Sequence, residues 1–253
     1  MLDAVYKMTD EIVRILGGDV FGVWLYGSAA MDDFRLGWSD IDIITLTRDT
    51  IPESRAKELL YLRQEMLKRE PEDSYYRSFE GIAAGLEEYR TRAFRRAVYW
   101  GTSGRRITDR VERDAFAEFE LAKYGLPVYG GRQWPFPTPG RDEIVSAVRK
   151  HYESIRKYAV TTDESLYSCG WLLDIARCVY TLRYNDVIAK TAAGVWALEE
   201  HVFPDEEPLI KTVEIRRRPL CCKDSEQLKS WLKGLGPVVQ SYADVLEREL
   251  ERE

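Results

Sequence analysis

Four residues near the start of the chain have types and spacing suited to phosphate chemistry. Gly27 and Ser28 sit at the centre of the run Leu25-Tyr26-Gly27-Ser28-Ala29-Ala30, and after eight further residues comes Ser39-Asp40-Ile41-Asp42. A strand that runs into Gly-Ser and a helical turn leaves backbone N–H groups pointing outward with positive dipole charge behind them, which suits a phosphate. Glycine lets that phosphate approach the main chain, and the Ser28 hydroxyl adds a donor. Asp40 and Asp42 alternate on a strand, so both carboxylates face one side, with Cα atoms ~7 Å apart. Two carboxylates at that reach can share one Mg²⁺ and bridge to a second, as two-metal phosphoryl chemistry requires. Alone, Gly-Ser is a turn and Asp-x-Asp a solvated loop. Here the acidic pair opens Asp-Ile-Asp-Ile-Ile, a segment that otherwise belongs in a core, where unpaired carboxylates are costly. A metal removes that conflict.

These residues need a sheet to position them, and the first half of the sequence reads as alternating helix and strand. Val5, Met8, Ile12, Val13 and Leu16 fall on one helical face, which Gly17-Gly18 stops. Residues 21–26 and 41–47 read as buried strands, the second apolar on both faces and therefore central. A charged amphipathic helix over 52–70, a strand over 75–84, another over 94–100 and a helix over 111–124 complete the unit. Residues 126–140 change character, with Gly130-Gly131 followed by Pro135, Pro137 and Pro139, and mark a domain boundary. Beyond it only helical periods remain: Ile144, Val148, Tyr152, Ile155 and Tyr158; Leu173, Ala176, Val179 and Tyr180; Val187, Thr191, Val195 and Leu198; Leu228, Trp231 and Leu232; Val239, Tyr242, Val245 and Leu246. The expected fold is α+β. An N-terminal domain with a mixed β-sheet (1–125) and a Gly/Pro-rich linker (126–140) precede a C-terminal helical bundle (141–253), with a cleft between the domains.

The composition narrows the function. A 253-residue chain with 45% hydrophobic and 32% charged residues can bury a core in each of two domains. Its net charge of −6, from 37 basic and 43 acidic residues, argues against binding duplex nucleic acid; an acidic surface suits a cationic small molecule. No apolar stretch is long enough to span a bilayer, and Met1-Leu2-Asp3 does not open a signal peptide. The expectation is a cytoplasmic monomer without membrane partners. Cys169, Cys178, Cys221 and Cys222 match no zinc spacing and are expected to be reduced, idle thiols. With only His151 and His201, a histidine-built metal site is not expected. The run Arg216-Arg217-Arg218 reads as a solvated helix end, and Trp134, Trp171 and Trp196 as core or hinge residues. Gly-x-Gly-x-x-Gly, Walker-type and Gly-x-Ser-x-Gly motifs are all missing.

Gly-Ser followed by Asp-x-Asp on the next strand is the signature of the polymerase-β-like nucleotidyltransferases. The wider pattern, Leu25 to Ala29 and Ser39 to Asp42, resembles the aminoglycoside adenylyltransferases of the streptomycin/spectinomycin type. The resemblance implies further residues. Arg77-Ser78-Phe79-Glu80 stands where those enzymes carry an Arg-x-x-Glu strand whose carboxylate is the catalytic base, and Glu80 could equally be a third metal ligand. Arg177 and Lys190 lie in segments similar to those that face the triphosphate, and Asp163 matches an acidic, substrate-contacting position. Asp163 and Glu164 could also cap the helix that follows. The resemblance implies ATP as co-substrate, two Mg²⁺ ions and transfer of AMP to a hydroxyl of a small cationic acceptor, an aminoglycoside foremost. Two departures leave the acceptor open: the loop between Ser28 and Asp40 is about one residue longer than the family spacing, and Tyr167 stands where some relatives carry an acid. A lincosamide, another metabolite, a protein or an RNA end remains possible as acceptor, as does a non-catalytic nucleotide-binding module.

Overall fold

The computed structural model describes residues 1–112, 114–221 and 225–253. Cys222 lies outside them. The described residues form two units: Met1–Phe34 with Ser39–Thr138, and Arg35–Trp38 with Pro139–Glu253.

In the first unit, α1 (Leu2–Leu16) buries Val5, Met8, Ile12 and Leu16, one face at helical spacing, and ends where Gly17 adopts φ 66°. Strands β1 (Val20–Tyr26) and β2 (Ile41–Thr47) follow, then α2 (Glu53–Arg69), β3 (Phe79–Gly85), α3 (Leu86–Thr91), β4 (Ala97–Gly101), β5 (Gly104–Thr108), α4 (Ala115–Tyr124) and β6 (Leu126–Tyr129). The sheet order is β5-β4-β3-β2-β1-β6. Strands β2 and β3 are parallel, joined through α2, while the other pairs are antiparallel. The sheet is therefore mixed, as the sequence suggests, and β2 is central.

Both faces of β2 are covered. Ile41 and Ile43 pack with α1, α2, Val23, Leu25 and Phe79. Ile44 and Leu46 pack on the opposite face with Trp24, Tyr89, Phe94 and Trp134. Each such isoleucine or leucine contributes about 1.5–3 kcal/mol by leaving water. Asp42 is the one residue of β2 that is not fully buried.

Three local features differ from the sequence reading. Residues 126–129 form strand β6 against β1 rather than linker; Pro127 is tolerated because β6 is an edge strand, where a missing N–H costs little. The strand expected from residue 75 starts at Phe79, because Ser74–Ser78 winds into a 3₁₀ turn whose start is held by the Asp73 carboxylate accepting from the Tyr75 amide at 2.9 Å. Strand β5 gives no apolar pattern. It is an exposed edge on which the Arg105 and Arg106 guanidinium groups lie 4.5 Å and 4.3 Å from the ring centres of Tyr61 and Tyr99.

The second unit is helical in its described residues: α5 (Arg141–Tyr158), α6 (Tyr167–Tyr184), α7 (Lys190–Glu199), α8 (Glu207–Arg217), α9 (Glu226–Lys233) and α10 (Gly236–Leu250). Its centre is α6, which buries Leu172, Leu173, Ile175, Ala176, Val179 and Leu182. Gly194 lets α7 approach closely: a Cβ there would stand 2.7 Å from both Leu173 Cδ2 and Val213 Cγ2. Tyr158, assigned to the buried stripe of α5, is 62% exposed, and Val187 is buried but precedes α7. Arg216 is likewise not a solvated helix end. It is buried, donates from Nε to Thr191 Oγ1 at 3.1 Å and lies over the Trp38 ring, so its charge serves packing within the unit.

Candidate functional site

Three strand ends of the first unit set out one row of polar residues. Tyr26 on β1 is the register partner of Asp42 on β2, and Asp42 is the partner of Glu80 on β3. Residues in register share a face, so the Asp42 and Glu80 side chains leave the same side of neighbouring strands about 4.8 Å apart. Alternation places that row on the Ile44, Leu46 and Ala84 side of the sheet. Asp40 stands immediately before β2, two residues from Asp42. Asp40, Asp42 and Glu80 are all half-buried, which leaves them reachable by a ligand while limiting the desolvation of three charges.

Gly27 follows directly. It has φ 64°, a conformation that favours glycine, and a Cβ at that position would stand 2.5 Å from Asp42 Oδ2. The Gly27–Ala29 turn is a single 3₁₀ turn closed by Ala30 and Met31 amides donating to the Gly27 carbonyl at 3.1 Å. Ser28 Oγ donates to the Asp40 carbonyl at 3.4 Å, which ties the Gly-Ser turn to the acidic segment. Burial pushes the Tyr26 hydroxyl well above its ordinary pKa, and the charges of Asp42 and Glu80 act in the same direction.

Glu80 is held from the neighbouring hairpin. Its Oε1 accepts from Tyr99 Oη at 2.8 Å, Thr102 Oγ1 at 2.6 Å and Ser103 Oγ at 3.4 Å. Tyr99 and Ser103 also share a hydrogen bond.

The donor set fits Mg²⁺. Its ligands are hard carboxylate oxygens, and Mg²⁺ in phosphoryl-transfer sites is held by one or two carboxylates together with substrate phosphates rather than by an all-protein cage. Among the described residues no group of three or more His, Cys, Asp or Glu side chains is drawn together tightly enough to hold a metal by itself. Asp40 and Asp42 present two carboxylates two residues apart, with Glu80 in the adjoining register position.

The second unit contains the other expected residues. Arg177 on α6 and Lys190 at the start of α7 meet at one carboxylate: Asp174 Oδ1 lies 2.8 Å from Lys190 Nζ and 3.6 Å from Arg177 Nη2. Burial works to raise the Asp174 pKa, but Lys190 and Arg177 outweigh it and hold the carboxyl below its ordinary value. Asp163 sits in the turn before α6, where its Oδ1 accepts from the Ser165 amide at 2.8 Å, Ser165 Oγ at 2.5 Å and Ser168 Oγ at 3.0 Å. The Ser165 hydroxyl and amide lower its pKa. Glu164 stands 4.0 Å from Lys233. The geometry at Asp163 is that of a local turn before α6; the helix cap open to Asp163 and Glu164 from the sequence is not formed, because the N-cap residue of α6 is Leu166 and no side chain caps it.

Asp174 was not a candidate from the sequence, although a signal was available: it is an acid three residues before Arg177 on an otherwise apolar helix, the spacing of a side-chain pair. Tyr99, Thr102 and Ser103 gave no such signal, because three hydroxyls acquire meaning only when the hairpin folds over β3. Cys169, Cys178 and Cys221 are free thiols. No helix among the described residues is long and apolar enough to cross a membrane.

No family model matches the sequence, and neither does any curated protein. Solved structures do. Spectinomycin adenyltransferase AAD(9) from Enterococcus faecialis, solved with ATP and spectinomycin, superposes with a TM-score of 0.70 at 12% identity, covering 95% of this chain and 97% of that one. A mutant of the toxin–antitoxin pair MntA–HpeT aligns at 14% identity over 60% of this chain and 89% of that one, with a TM-score of 0.28 that is too low to bear on the fold. The first likeness shows that this chain shares the fold of that adenyltransferase.

Proposed function

We propose that the protein is a Mg²⁺-dependent nucleotidyltransferase that moves AMP from ATP to a hydroxyl of a small cationic acceptor, an aminoglycoside of the spectinomycin or streptomycin kind foremost. The observation that carries this reading is the alignment of Asp42 and Glu80 in register on parallel strands, with Asp40 two residues away and Gly27 packed against Asp42. The AAD(9) neighbour, solved with ATP and spectinomycin, supports ATP as co-substrate and the acceptor class.

In this reading Asp40 and Asp42 hold Mg²⁺, and Ser28 with the Gly27 turn receives the terminal phosphates. When bound, Mg²⁺ offsets charge on the triphosphate and the departing pyrophosphate. The acceptor hydroxyl oxygen attacks the α-phosphorus and forms the new P–O bond. The bond from that phosphorus to the oxygen bridging to the β-phosphate breaks, and pyrophosphate leaves with the electron pair. Glu80 takes the hydroxyl proton. Arg177 and Lys190 contribute positive charge to the phosphates, while Asp163 meets an ammonium group of the acceptor. Asp174, which already neutralises Arg177 and Lys190 in part, keeps two cations close together without the full repulsion between them.

The test is pyrophosphate release from Mg²⁺–ATP and Mg²⁺–GTP across a panel of aminoglycosides and lincosamides, with mass spectrometry of the acceptor. The expected result is an AMP adduct on spectinomycin or streptomycin. Release with a lincosamide alone moves the acceptor assignment and leaves the reaction standing. If no acceptor and no nucleotide gives pyrophosphate, the enzymatic reading fails.

A further inference from the structure

We propose that the β4–β5 hairpin is a positioning device for Glu80, in which Tyr99, Thr102 and Ser103 fix Oε1 so that Oε2 is the oxygen that accepts the proton of the attacking hydroxyl. The proposal rests on the nucleotidyltransferase reading above.

The geometry is specific to one oxygen. Three hydroxyls from a five-residue stretch, Tyr99 at 2.8 Å, Thr102 at 2.6 Å and Ser103 at 3.4 Å, converge on Oε1, and Oε2 accepts none of these bonds. The hairpin makes this possible. β4 runs antiparallel to β3 with Gly81 opposite Trp100, so Gly101 lies beside Glu80. A Cβ on Gly101 would stand 2.8 Å from Glu80 Cγ, 3.1 Å from Glu80 Oε1 and 3.0 Å from the Tyr99 hydroxyl. The carboxylate stem therefore lies across Gly101, where a larger residue would displace it. Thr102 and Ser103 form the two-residue turn between β4 and β5, and Gly104 (φ 119°) completes it. Sheet pairing from Ala97↔Thr108 to Gly101↔Gly104 keeps the turn in place over β3.

The donors are neutral, and this matters for chemistry. Tyrosine, threonine and serine hydroxyls are protonated donors at neutral pH. Neutral hydroxyls orient a carboxylate without cancelling its charge, whereas an arginine or lysine in the same place would do both. A proton acceptor needs a fixed direction and a retained charge. The hairpin supplies the first and leaves the second.

Steady-state kinetics on Tyr99→Phe, Thr102→Val, Thr102→Ser and Gly101→Ala, each alone and in a Glu80→Gln background, tests this. Losing one hydroxyl bond to a charged group should lower kcat by about tenfold. The expected result is that fall in Tyr99→Phe and Thr102→Val, with the KM for ATP unchanged and Mg²⁺–ATP affinity by calorimetry unchanged. Thr102→Ser should retain kcat, and Gly101→Ala should lower it although it removes no hydroxyl. In the Glu80→Gln background the same changes should add nothing, since they act through the missing carboxylate. Full kcat in the Tyr99→Phe, Thr102→Val double variant overturns the proposal, as does an undiminished loss in the Glu80→Gln background or a loss confined to nucleotide affinity. If wild type turns over and Glu80→Gln is impaired while the hairpin variants are not, only this proposal fails. A wild type inactive on every acceptor removes it together with the functional reading.

Discussion

Two carboxylates in this chain are held in opposite ways. Glu80 in the first unit is gripped by the hydroxyls of Tyr99, Thr102 and Ser103, which orient it and leave its charge in place. Asp174 in the second unit lies against Lys190 and Arg177, which offset its charge and pull its pKa down against the effect of burial. The first arrangement surrounds a carboxylate oxygen with neutral donors only. The second, one carboxylate between two cations, retains net positive charge. The proposed reaction uses this contrast, with the proton acceptor at the strand ends and charge complementarity on the helices.

The largest expected effect lies at the strand ends. Asp40→Asn or Asp42→Asn should lower Mg²⁺-dependent turnover by about a thousandfold or more, because an amide cannot replace an anionic ligand worth several kcal/mol in the transition state. The folded state should persist, with a Tm equal to the parent or higher, since one negative charge leaves a row of like charges. Activity within a few-fold of the parent in either variant would contradict the metal-ligand assignment.

Glu80→Gln comes next, with kcat falling about 10²–10⁴-fold. Calorimetric titration of Mg²⁺–ATP separates its two roles. Retained affinity identifies a proton acceptor, and weakened affinity identifies a metal ligand.

Asp174 sharpens the other side of the comparison. Asp174→Ala leaves two cations facing each other at a side chain only 19% exposed, and should cost about 2–3 kcal/mol of stability. The carboxyl is held below its unfolded value, so its contribution is present above the unfolded pKa of about 4 and is lost as pH falls through the lower folded pKa. Urea midpoints measured from pH 7 down to pH 2 should show a shallower acid decline in Asp174→Ala than in the parent. Parallel declines would mean that the ion pairs contribute little.

The smallest effect concerns Asp163, where turn and acceptor roles compete. Asp163→Asn keeps a side-chain acceptor for the Ser165 amide and should change Tm little, whereas Asp163→Ala should cost about 1 kcal/mol through the lost turn hydrogen bond. If the charge also meets the acceptor, Asp163→Asn raises the acceptor KM severalfold while the KM for ATP holds. An acceptor KM that stays put in Asp163→Asn leaves the residue a turn former only.

Much of this was legible in the sequence because it rests on local periodicity and short spacing. The alternating Asp40-Ile41-Asp42-Ile43 pattern announced a strand with one wet end, and the stripe from Val5 to Leu16 announced α1. What escaped depends on pairing between distant segments. Leu126–Tyr129 reads as Pro-containing linker until β1 offers it an edge, and Gly104–Thr108 has no apolar pattern to mark it as the exposed edge strand that pairs with β4. Arg216 looks solvated in a run of three arginines, and only folding puts Trp38 and Thr191 around it. The hydroxyls that hold Glu80 belong to the same class, since a Tyr, a Thr and a Ser have no chemical signature until a strand register brings them to one oxygen.

The central claim is that the row of Asp40, Asp42 and Glu80 receives a Mg²⁺-bound nucleoside triphosphate, and calorimetric titration of ATP into the parent and into Asp42→Asn, with and without Mg²⁺, tests it most directly. The account predicts binding by the parent that depends on Mg²⁺ and is lost, or weakened at least tenfold, in the variant. Equal affinity in the two proteins, or binding by the parent indifferent to Mg²⁺, would contradict it.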